Sequence, residues 1–256
     1  VQPIYAHWQD APNFTEARVD KAHATYCGEI TMVDTWIGYL LRKLENMGLS
    51  ENTAIIFTSD HGFYFGEHGG RFGKMTLAKR DDGTLYRIGD EDSQWSFSPL
   101  YEELTALPLL IHVPEVPTGS YQGLSSAIDV MPTVLDIFGK DAPTWVEGQS
   151  LLPAMKNDSK IGRAYTVSTV PFANPGDPVR SVDNISRRLR AGVASTITSG
   201  EWALIYTPDP GLSELYHLPT DPCQNNNVIG QNLDTAHDHH SMLMEFMKTT
   251  GVPESL

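Results

Sequence analysis

The fold of this chain is restricted above all by a short apolar segment that ends in an acid and an imidazole. Thr53 to Thr58 is almost entirely apolar or β-branched, and its length is typical of a strand buried on both faces of an α/β sheet. The segment Ser59-Asp60-His61-Gly62 follows at once. Ligands of open α/β sheets bind in the loops beyond the carboxyl ends of the strands. We therefore expect Asp60 and His61 to hold a metal ion or an anion.

The loop after this strand is rich in glycine. Glu67 and His68 lie within it, and Lys74 ends it. Its glycines are Gly62, Gly66, Gly69, Gly70 and Gly73. Glycine adopts left-handed backbone conformations that other residues avoid, so such a loop can turn back on itself tightly. The sequence therefore predicts that Lys74 lies close to Asp60 and His61.

The composition restricts the size of the fold and the class of partner. A chain of 256 residues can form one sizeable core, or a core and a small subdomain. Its formal net charge of -14 argues against nucleic acids and anionic membranes as partners, because both attract clusters of Lys and Arg. No apolar run approaches the roughly 20 residues that span a bilayer. Cys27 and Cys223 do not suggest a disulfide framework, so the cellular compartment stays open.

The longest periodic segment of the chain predicts a helix. Asn13 and Glu16 have the spacing of a capping box, and Gly48 marks the end of the periodicity. Apolar residues recur between them at steps of three and four, which places one stripe on a helix of about eight turns. The stripe consists of Val19, Ala22, Tyr26, Ile30, Val33, Ile37, Leu40, Leu44 and Met47. We predict that this helix covers one face of the sheet.

Weaker patterns complete the predicted fold. They indicate a second buried strand, a helix closed by a glycine, three short strands and a terminal helix. In chain order these are Leu107 to Val113, Ala127 to Phe138, Ala194 to Thr198, Trp202 to Thr207, Glu214 to Leu218 and Thr235 to Thr249. The tract His237-Asp238-His239-His240 is interpreted as an exposed polar first turn of the last helix. The predicted fold class is α/β: a partial three-layer α/β/α sandwich in residues 1–184, then a small antiparallel sheet with a C-terminal helix in residues 185–256.

Several motifs of this chain resemble a known family. TSDHGFYFGEHG, followed by Gly73-Lys74, is similar to the metal-binding segment in the C-terminal half of sulfatases, which belong to the alkaline phosphatase superfamily. Further motifs extend the resemblance over nearly the whole chain, in the family's order. They are Gly48-Leu49 to Asn52-Thr53, Tyr101-Glu102-Glu103, Pro108-Leu109-Leu110-Ile111, Asp129-Val130-Met131-Pro132-Thr133, Trp202-Ala203-Leu204-Ile205-Tyr206 and Glu214-Leu215-Tyr216. Each motif alone is a weak signal, whereas the ordered set is a strong one.

The resemblance implies a metal-dependent sulfuric ester hydrolase and gives roles to four residues. Asp60 and His61 match metal ligands of the family, and Lys74 matches the lysine that holds the sulfate group. His7, at the end of the strand-like PIYAH, matches a histidine that contacts the sulfate ester. The expected cofactor is a divalent metal, calcium first, with manganese, magnesium or zinc as alternatives because imidazole widens the tolerance. The expected substrate is a small-molecule or saccharide sulfate ester.

The sequence departs from the family pattern in two places. Sulfatases attack with a formylglycine made in a C/S-x-P-x-R motif, and neither Cys27 nor Cys223 has the required proline and arginine after it. The chain also begins at Val1, without an initiator methionine. We therefore expect a fragment that is inactive alone and that lacks an N-terminal segment of the same protein. The second departure is a polar insertion, Met75 to Pro99, which we expect to form a surface loop or small hairpin near the pocket.

Two alternative functions stay open at the level of sequence. The Asp-His-Gly segment also occurs in phosphonate monoester and phosphodiester hydrolases of the same superfamily. The other alternative is a non-catalytic, metal-stabilised binding module. That second alternative would be favoured if no C/S-x-P-x-R segment preceded this sequence in its gene.

Overall fold

The computed structural model describes residues 15–77, 95–97, 99–156, 162–169, 194–207 and 210–251. Contacts divide the chain into two compact units. Unit 1 comprises Val1–Gly28, His61–Ala106 and Val167–Leu256, and unit 2 comprises Glu29–Asp60 and Leu107–Thr166. His7 lies outside the described residues. The predicted boundary between residues 184 and 185 also lies outside them and stays a prediction.

The described part of the chain contains helices and strands of very different length. In chain order they are α1 (Glu16–Asn46), β1 (Ile55–Thr58), β2 (Tyr64–Phe65), α2 (Glu67–Gly70), β3 (Phe72–Gly73), β4 (Met75–Leu77), β5 (Trp95–Phe97), α3 (Glu102–Thr105), β6 (Leu109–His112), α4 (Val130–Ile137), α5 (Leu152–Met155), β7 (Tyr165–Thr169), β8 (Ser195–Ser199), β9 (Trp202–Tyr206), β10 (Glu214–His217) and α6 (Leu233–Thr249). None of the helices in this part of the chain has both the length and the apolar character needed to cross a membrane.

The predicted long helix is present as α1. It ends just before Gly48, whose φ of 67° is left-handed. Its apolar stripe is largely exposed: Ala22 is the buried residue of the helix, whereas Val33 and Leu40 are 48% and 59% exposed. Within the described residues, the prediction that this helix covers a sheet holds only for its first turns, which lie against the sheet of β2 and β3, and is wrong for most of the stripe. Periodicity identifies an apolar face, but burial of that face requires a second layer packed against it.

Unit 1 contains a small hairpin with a different partner on each face. Strands β2 and β3 pair antiparallel, and successive side chains of a strand point to opposite faces. Tyr64 is buried on one face, with its ring centroid 6.3 Å from that of Tyr101. On the other face Phe63 and Phe65 lie against Tyr26 of α1, with centroid separations of 6.1 and 4.9 Å. The hairpin is therefore held between the first turns of α1 and the segment around Tyr101.

The two ends of the predicted insertion pair with each other. Strand β4 pairs antiparallel with β5, with Met75 opposite Phe97 and Leu77 opposite Trp95. This pairing agrees with the small hairpin, one of the two forms expected for the insertion. Residues 78–94, between the two strands, lie outside the described part of the chain.

The three predicted strands of the small antiparallel sheet are present in unit 1 as β8, β9 and β10, and β7, which was not predicted, borders β8. Its strand order is β10-β9-β8-β7, and Ile205 of β9 lies opposite both Thr196 of β8 and Glu214 of β10. Ile205 and Leu215 are almost completely buried. Short strand-like runs separated by turn residues were therefore sufficient to predict these strands. The three consecutive residues from Ala203 to Ile205 are buried, so both faces of β9 are covered.

The terminal helix α6 is anchored by a histidine. Ala236, His239 and Leu243 are its buried residues, spaced three and four apart, which places them on one face. The Nδ1 of His239 lies 2.8 Å from the carbonyl oxygen of Thr235, and its Nε2 lies 3.0 Å from the hydroxyl of Ser199. The interpretation of this tract as exposed is therefore wrong at His239, because that position shares the helical face of two buried apolar residues.

Unit 2 contains the apolar strand that precedes the Asp-His pair. Strand β1 pairs antiparallel with β6, with Ile56 opposite Ile111. These two isoleucines are partly buried, but Phe57 and Leu110 are 41% and 66% exposed. The prediction of strands buried on both faces is therefore wrong for the described residues. Their sheet has two strands in the described part of the chain, and an apolar run alone does not say what covers it.

A buried carboxylate organises the rest of unit 2. Asp129 is completely buried and accepts hydrogen bonds from the backbone nitrogens of Ser126, at 2.8 Å, and Gln149, at 2.9 Å. The guanidinium of Arg163 donates to both of its carboxylate oxygens. Helix α4 starts directly after this residue and is closed by Gly139, whose φ is 62°. The predicted helix is confirmed, and the Asp129 motif has a structural role.

Candidate active site

The glycine-rich hairpin brings Lys74 to His61. Tyr64 lies opposite Gly73 in the pairing of β2 with β3, so the chain before β2 and the chain after β3 leave the same end of the hairpin. His61 and Lys74 are at this open end, and the Nζ of Lys74 lies 2.8 Å from the Nε2 of His61. Lys74 is exposed and His61 is partly buried. The expected approach of Lys74 to His61 is therefore confirmed.

Both ring nitrogens of His61 have a hydrogen-bond partner. Its Nδ1 lies 2.8 Å from the carbonyl oxygen of Gly62, and a carbonyl oxygen only accepts. The ammonium group of Lys74 only donates, so the Nε2 must accept. In this arrangement Nδ1 faces the carbonyl oxygen of Gly62 and Nε2 faces Lys74. A metal ion bound at Nε2 would take the place of the hydrogen bond to Lys74, because the same lone pair would serve both.

Gly62 allows the base of the hairpin to approach the segment that follows the insertion. The backbone nitrogens of Gly62 and Phe63 donate to the carbonyl oxygens of Leu104 and Glu103, each at 3.0 Å. A Cβ atom at position 62 would lie 1.7 Å from the carbonyl oxygen of Glu103. The glycine of the Asp-His-Gly motif is therefore required for close backbone packing.

The tip of the hairpin is held by His68. Its backbone is left-handed, with a φ of 50°, which costs a non-glycine residue about 1 kcal/mol. The ring stacks on Tyr101 with a centroid separation of 3.7 Å and an angle of 5°, and Nε2 lies 2.9 Å from the carboxylate of Glu103. These contacts offset the local strain. They attach the tip to the same segment that holds the base.

Tyr101 is in turn fixed by the small antiparallel sheet. Its hydroxyl donates to the carboxylate of Glu214 at 2.5 Å, and the hydroxyl of Tyr216 donates to the same carboxylate at 2.8 Å. Burial and then the hydrogen bond to Glu214 raise the pKa of both tyrosines above the ordinary range. Nearby, burial and the charge of Glu103 raise the pKa of Glu102. The motifs at 101–103 and 214–216 therefore form one network.

The sequence prediction did not assign a function to this network. Tyr101-Glu102-Glu103 and Glu214-Leu215-Tyr216 appeared there only as parts of a family resemblance, and His68 was not among the predicted site residues. The sequence signal for this network was that both motifs belong to the ordered set of motifs that resembles the family. Their contact could not be predicted, because residues 101 and 214 are far apart in the chain.

The described residues give less information on the other predicted site residues. Asp60 is exposed and directly precedes His61; it ends the first segment of unit 2, and His61 begins the second segment of unit 1. The described residues contain no group of three or more His, Cys, Asp and Glu side chains arranged to hold a metal ion. An exposed carboxylate and a partly buried imidazole are both side-chain types that can bind a divalent cation. The metal and anion-binding roles of Asp60, His61, Lys74 and His7 stay predictions.

Comparison with known proteins identifies the family. The model of the family named Sulfatase matches residues 2–140, more than half of the chain. The N-acetylglucosamine-6-O-sulfatase of Bacteroides thetaiotaomicron is 34% identical over 209 residues, which cover 80% of this chain and 32% of that protein. The chain spans about a third of the length of the curated relatives that it matches over most of its own length.

Solved structures show the same relationship. One protein, determined in complex with its substrate D-glucosamine-2-N,6-O-disulfate, has a TM-score of 0.66 and 26% identity, covering 93% of this chain and 42% of that chain. The phosphonate monoester hydrolase of Agrobacterium radiobacter has a TM-score of 0.67 and 22% identity, covering 94% and 44%. These similarities confirm the predicted α/β fold class. The chain belongs to the sulfatase family of the alkaline phosphatase superfamily.

Proposed function

We propose that this chain contributes part of the active site of an enzyme that hydrolyses a sulfate ester. One observation carries the proposal: in a member of the sulfatase family, the ammonium group of Lys74 lies 2.8 Å from His61 at the open end of the glycine-rich hairpin. A compact and exposed ammonium group suits a tetrahedral anion. Because the chain has a net charge of -14, such local cations must supply the attraction for a sulfate group.

Sulfatases are in general metal-dependent. We propose Asp60 and His61 as two ligands of a divalent cation, calcium first, with manganese, magnesium or zinc as alternatives. A bound cation would offset the negative charge of the sulfate group and of the leaving oxygen. Two side chains cannot complete the shell, since calcium takes about 6 to 8 oxygen ligands. The remaining ligands would come from a segment outside this sequence.

Lys74, Gly62 and His7 each have a distinct proposed role. Lys74 binds and orients the sulfate group through its ammonium hydrogens. The carbonyl oxygen of Gly62 holds the Nδ1 side of the His61 ring, so that Nε2 faces Lys74. His7 is proposed to contact the sulfate ester, on the basis of the family resemblance alone.

The nucleophile is proposed to lie in a different segment of the same protein. The printed sequence contains no C/S-x-P-x-R motif, from which sulfatases form their formylglycine. Without a nucleophile, cations that bind the anion do not provide a complete reaction path. We therefore expect the chain alone to be inactive, and its proposed partner is the segment that carries the nucleophile.

The similarity to relatives supports a sulfated saccharide as the substrate class. One relative is named for N-acetylglucosamine 6-O-sulfate, and one solved structure holds D-glucosamine-2-N,6-O-disulfate. A phosphonate monoester is the second candidate, because a phosphonate monoester hydrolase shares the fold at 22% identity. The sulfate ester is the better supported of the two, since the family model and the relative at 34% identity both belong to sulfatases.

The test uses the complete protein encoded by the gene of this chain. Turnover of an aryl sulfate, glucosamine 6-sulfate and an aryl phosphonate is compared for the wild type and for Lys74→Ala. We expect the sulfate esters to be preferred, and we expect Lys74→Ala to lower kcat/KM about 100- to 1000-fold, as for loss of one positioned donor. The control is Lys43→Ala, which removes an exposed lysine from the last turn of α1 and should change nothing.

Two results would contradict the proposal. If the phosphonate is turned over faster than both sulfate esters, the substrate class is wrong. If Lys74→Ala and Lys43→Ala are equally active, Lys74 is a surface residue without a role in binding the anion.

A further inference from the structure

The distance between His61 and Lys74 depends on how the hairpin is held. The two residues lie outside the paired strands, on either side of the open end, and the pairing itself covers two residues on each strand. A ladder this short is weak by itself, because an isolated two-stranded hairpin is marginally stable in water. Contacts with other segments must therefore fix the shape of this hairpin.

On the face opposite α1, those contacts come from one segment, residues 101–104. At the base, the backbone nitrogens of Gly62 and Phe63 donate to carbonyl oxygens of this segment. At the tip, the ring of His68 lies flat on Tyr101 and its Nε2 binds Glu103. The hairpin is thus attached to this segment at two points. At the point remote from Lys74, His68 supplies the stacked ring and the contact with Glu103, and the guanidinium of Arg71 lies 5.9 Å from the centroid of the Tyr101 ring.

The support under His68 is itself rigid. Tyr101 is 3% exposed, its hydroxyl binds Glu214, and its backbone nitrogen donates to the hydroxyl of Tyr64 on β2. The hydroxyl of Tyr64 in turn donates to the carbonyl oxygen of Pro99. The stacked ring therefore connects the tip of the hairpin to a strand of the hairpin and to the small antiparallel sheet.

We propose that His68 is a positioning residue, which holds the tip of the hairpin on Tyr101 and Glu103 and thereby sets the contact between Lys74 and His61. It touches neither of those two side chains in the contacts described above and acts through the backbone of β3. The functional meaning of this inference rests on the proposed function, because it concerns the same site. The structural claim itself concerns only distances within unit 1.

The test reads the His61 ring nitrogens directly, in the ¹⁵N-labelled chain, by NMR correlation to the ring protons. Lys74→Met provides the reference signal of His61 without its lysine partner. The test variant is His68→Asn, because asparagine tolerates a left-handed backbone but is too short to reach Glu103 and has no ring to stack. We expect His68→Asn to move the His61 Nε2 signal most of the way to its position in Lys74→Met.

A second variant and a control separate positioning from general stability. Glu103→Ala removes the acceptor and keeps the stacked ring, so we expect a smaller shift in the same direction. His217→Asn removes a comparable ring contact, with Trp202 at 4.6 Å, and should leave the His61 signal at its wild-type position. Thermal unfolding of each variant shows whether it is folded.

The proposal is overturned if a folded His68→Asn or Glu103→Ala variant keeps the wild-type His61 signal. It is also overturned if His217→Asn shifts that signal as much as His68→Asn does. The NMR result does not depend on turnover. If the signal shifts but the complete enzyme keeps its kcat/KM, positioning by His68 stands and the role proposed for Lys74 fails.

Discussion

Single atoms decide whether the candidate site can form. The absent Cβ of Gly62 is the clearest case, because a methyl group there would overlap the carbonyl oxygen of Glu103 at 1.7 Å. The same oxygen accepts a hydrogen bond from the backbone nitrogen of Phe63. The neighbour therefore cannot move away without breaking the base of the hairpin.

We predict that Gly62→Ala destabilises the fold by about 3 kcal/mol, the upper end of the range for an enforced overlap. Gly28→Ala is the matched control, because a Cβ at that position of α1 meets nothing within 4 Å. It should stabilise the helix by about 0.5 to 1 kcal/mol. Urea unfolding of both variants checks the prediction, and equal effects of the two substitutions would contradict it.

At the scale of elements, short segments are joined by buried polar groups as well as by apolar packing. Glu214 of β10 accepts from two tyrosines, one of which supports the hairpin through His68. Asp129, before α4, accepts from two backbone nitrogens and from Arg163. Each carboxylate thus joins several short segments of the chain.

The tyrosine pair predicts a loss of stability in alkali. Burial raises the folded pKa values of Tyr101 and Tyr216 above the ordinary tyrosine value of about 10, so their contribution to stability is complete below pH 10 and is lost as the pH rises beyond it. Unfolding curves between pH 8 and pH 12, with tyrosinate absorbance, measure this loss. We expect Tyr216→Phe to reduce it and the exposed-residue control Tyr39→Phe to leave it unchanged.

Arg163→Met tests the buried carboxylate of unit 2. The variant leaves the charge of Asp129 buried without its cationic partner, which costs about 3 kcal/mol by comparison with other broken buried pairs. Amide exchange in β1 and β6 should become roughly 100-fold faster if unit 2 opens as one body. The control Arg42→Met changes an arginine on the exposed surface of α1 and should change exchange little. Unchanged exchange in Arg163→Met would show that Asp129 is satisfied by backbone donors alone.

For the whole molecule, the described structure exposes many large apolar residues in α1 and in the strands of unit 2. Trp36 is 67% exposed and Leu40 is 59% exposed, on neighbouring positions of one helical face. Exposed apolar patches of this kind mark sites of association or aggregation. Unit 2 is therefore expected to bind apolar probes.

We predict that the double variant Trp36→Glu with Leu40→Glu lowers both self-association and binding of an apolar dye several-fold. Glutamate is a good helix former, so α1 itself should persist. Thr35→Glu is the control, since it adds charge on another face of the same helix. Sedimentation and dye fluorescence measure the effect. Equal behaviour of the double variant and the control would show that this face is not the association surface.

Local sequence was sufficient for much of this protein. It predicted helix α1, strands β1, β6 and β8 to β10, and the turn that brings Lys74 to His61. Helical periodicity, short apolar runs bounded by turn residues and glycine conformation all act within a few residues. The ordered motifs also led to the correct family. These inferences needed no knowledge of which distant segments touch.

Tertiary structure decided the remaining features. Burial of the α1 stripe and of β1 was predicted wrongly, because an apolar pattern does not contain its partner layer. The burial of His239 depended on Ser199, and the support under His68 depended on Tyr101 and Glu214. Each of these contacts joins residues that are far apart in the sequence. They therefore form only when the chain has folded.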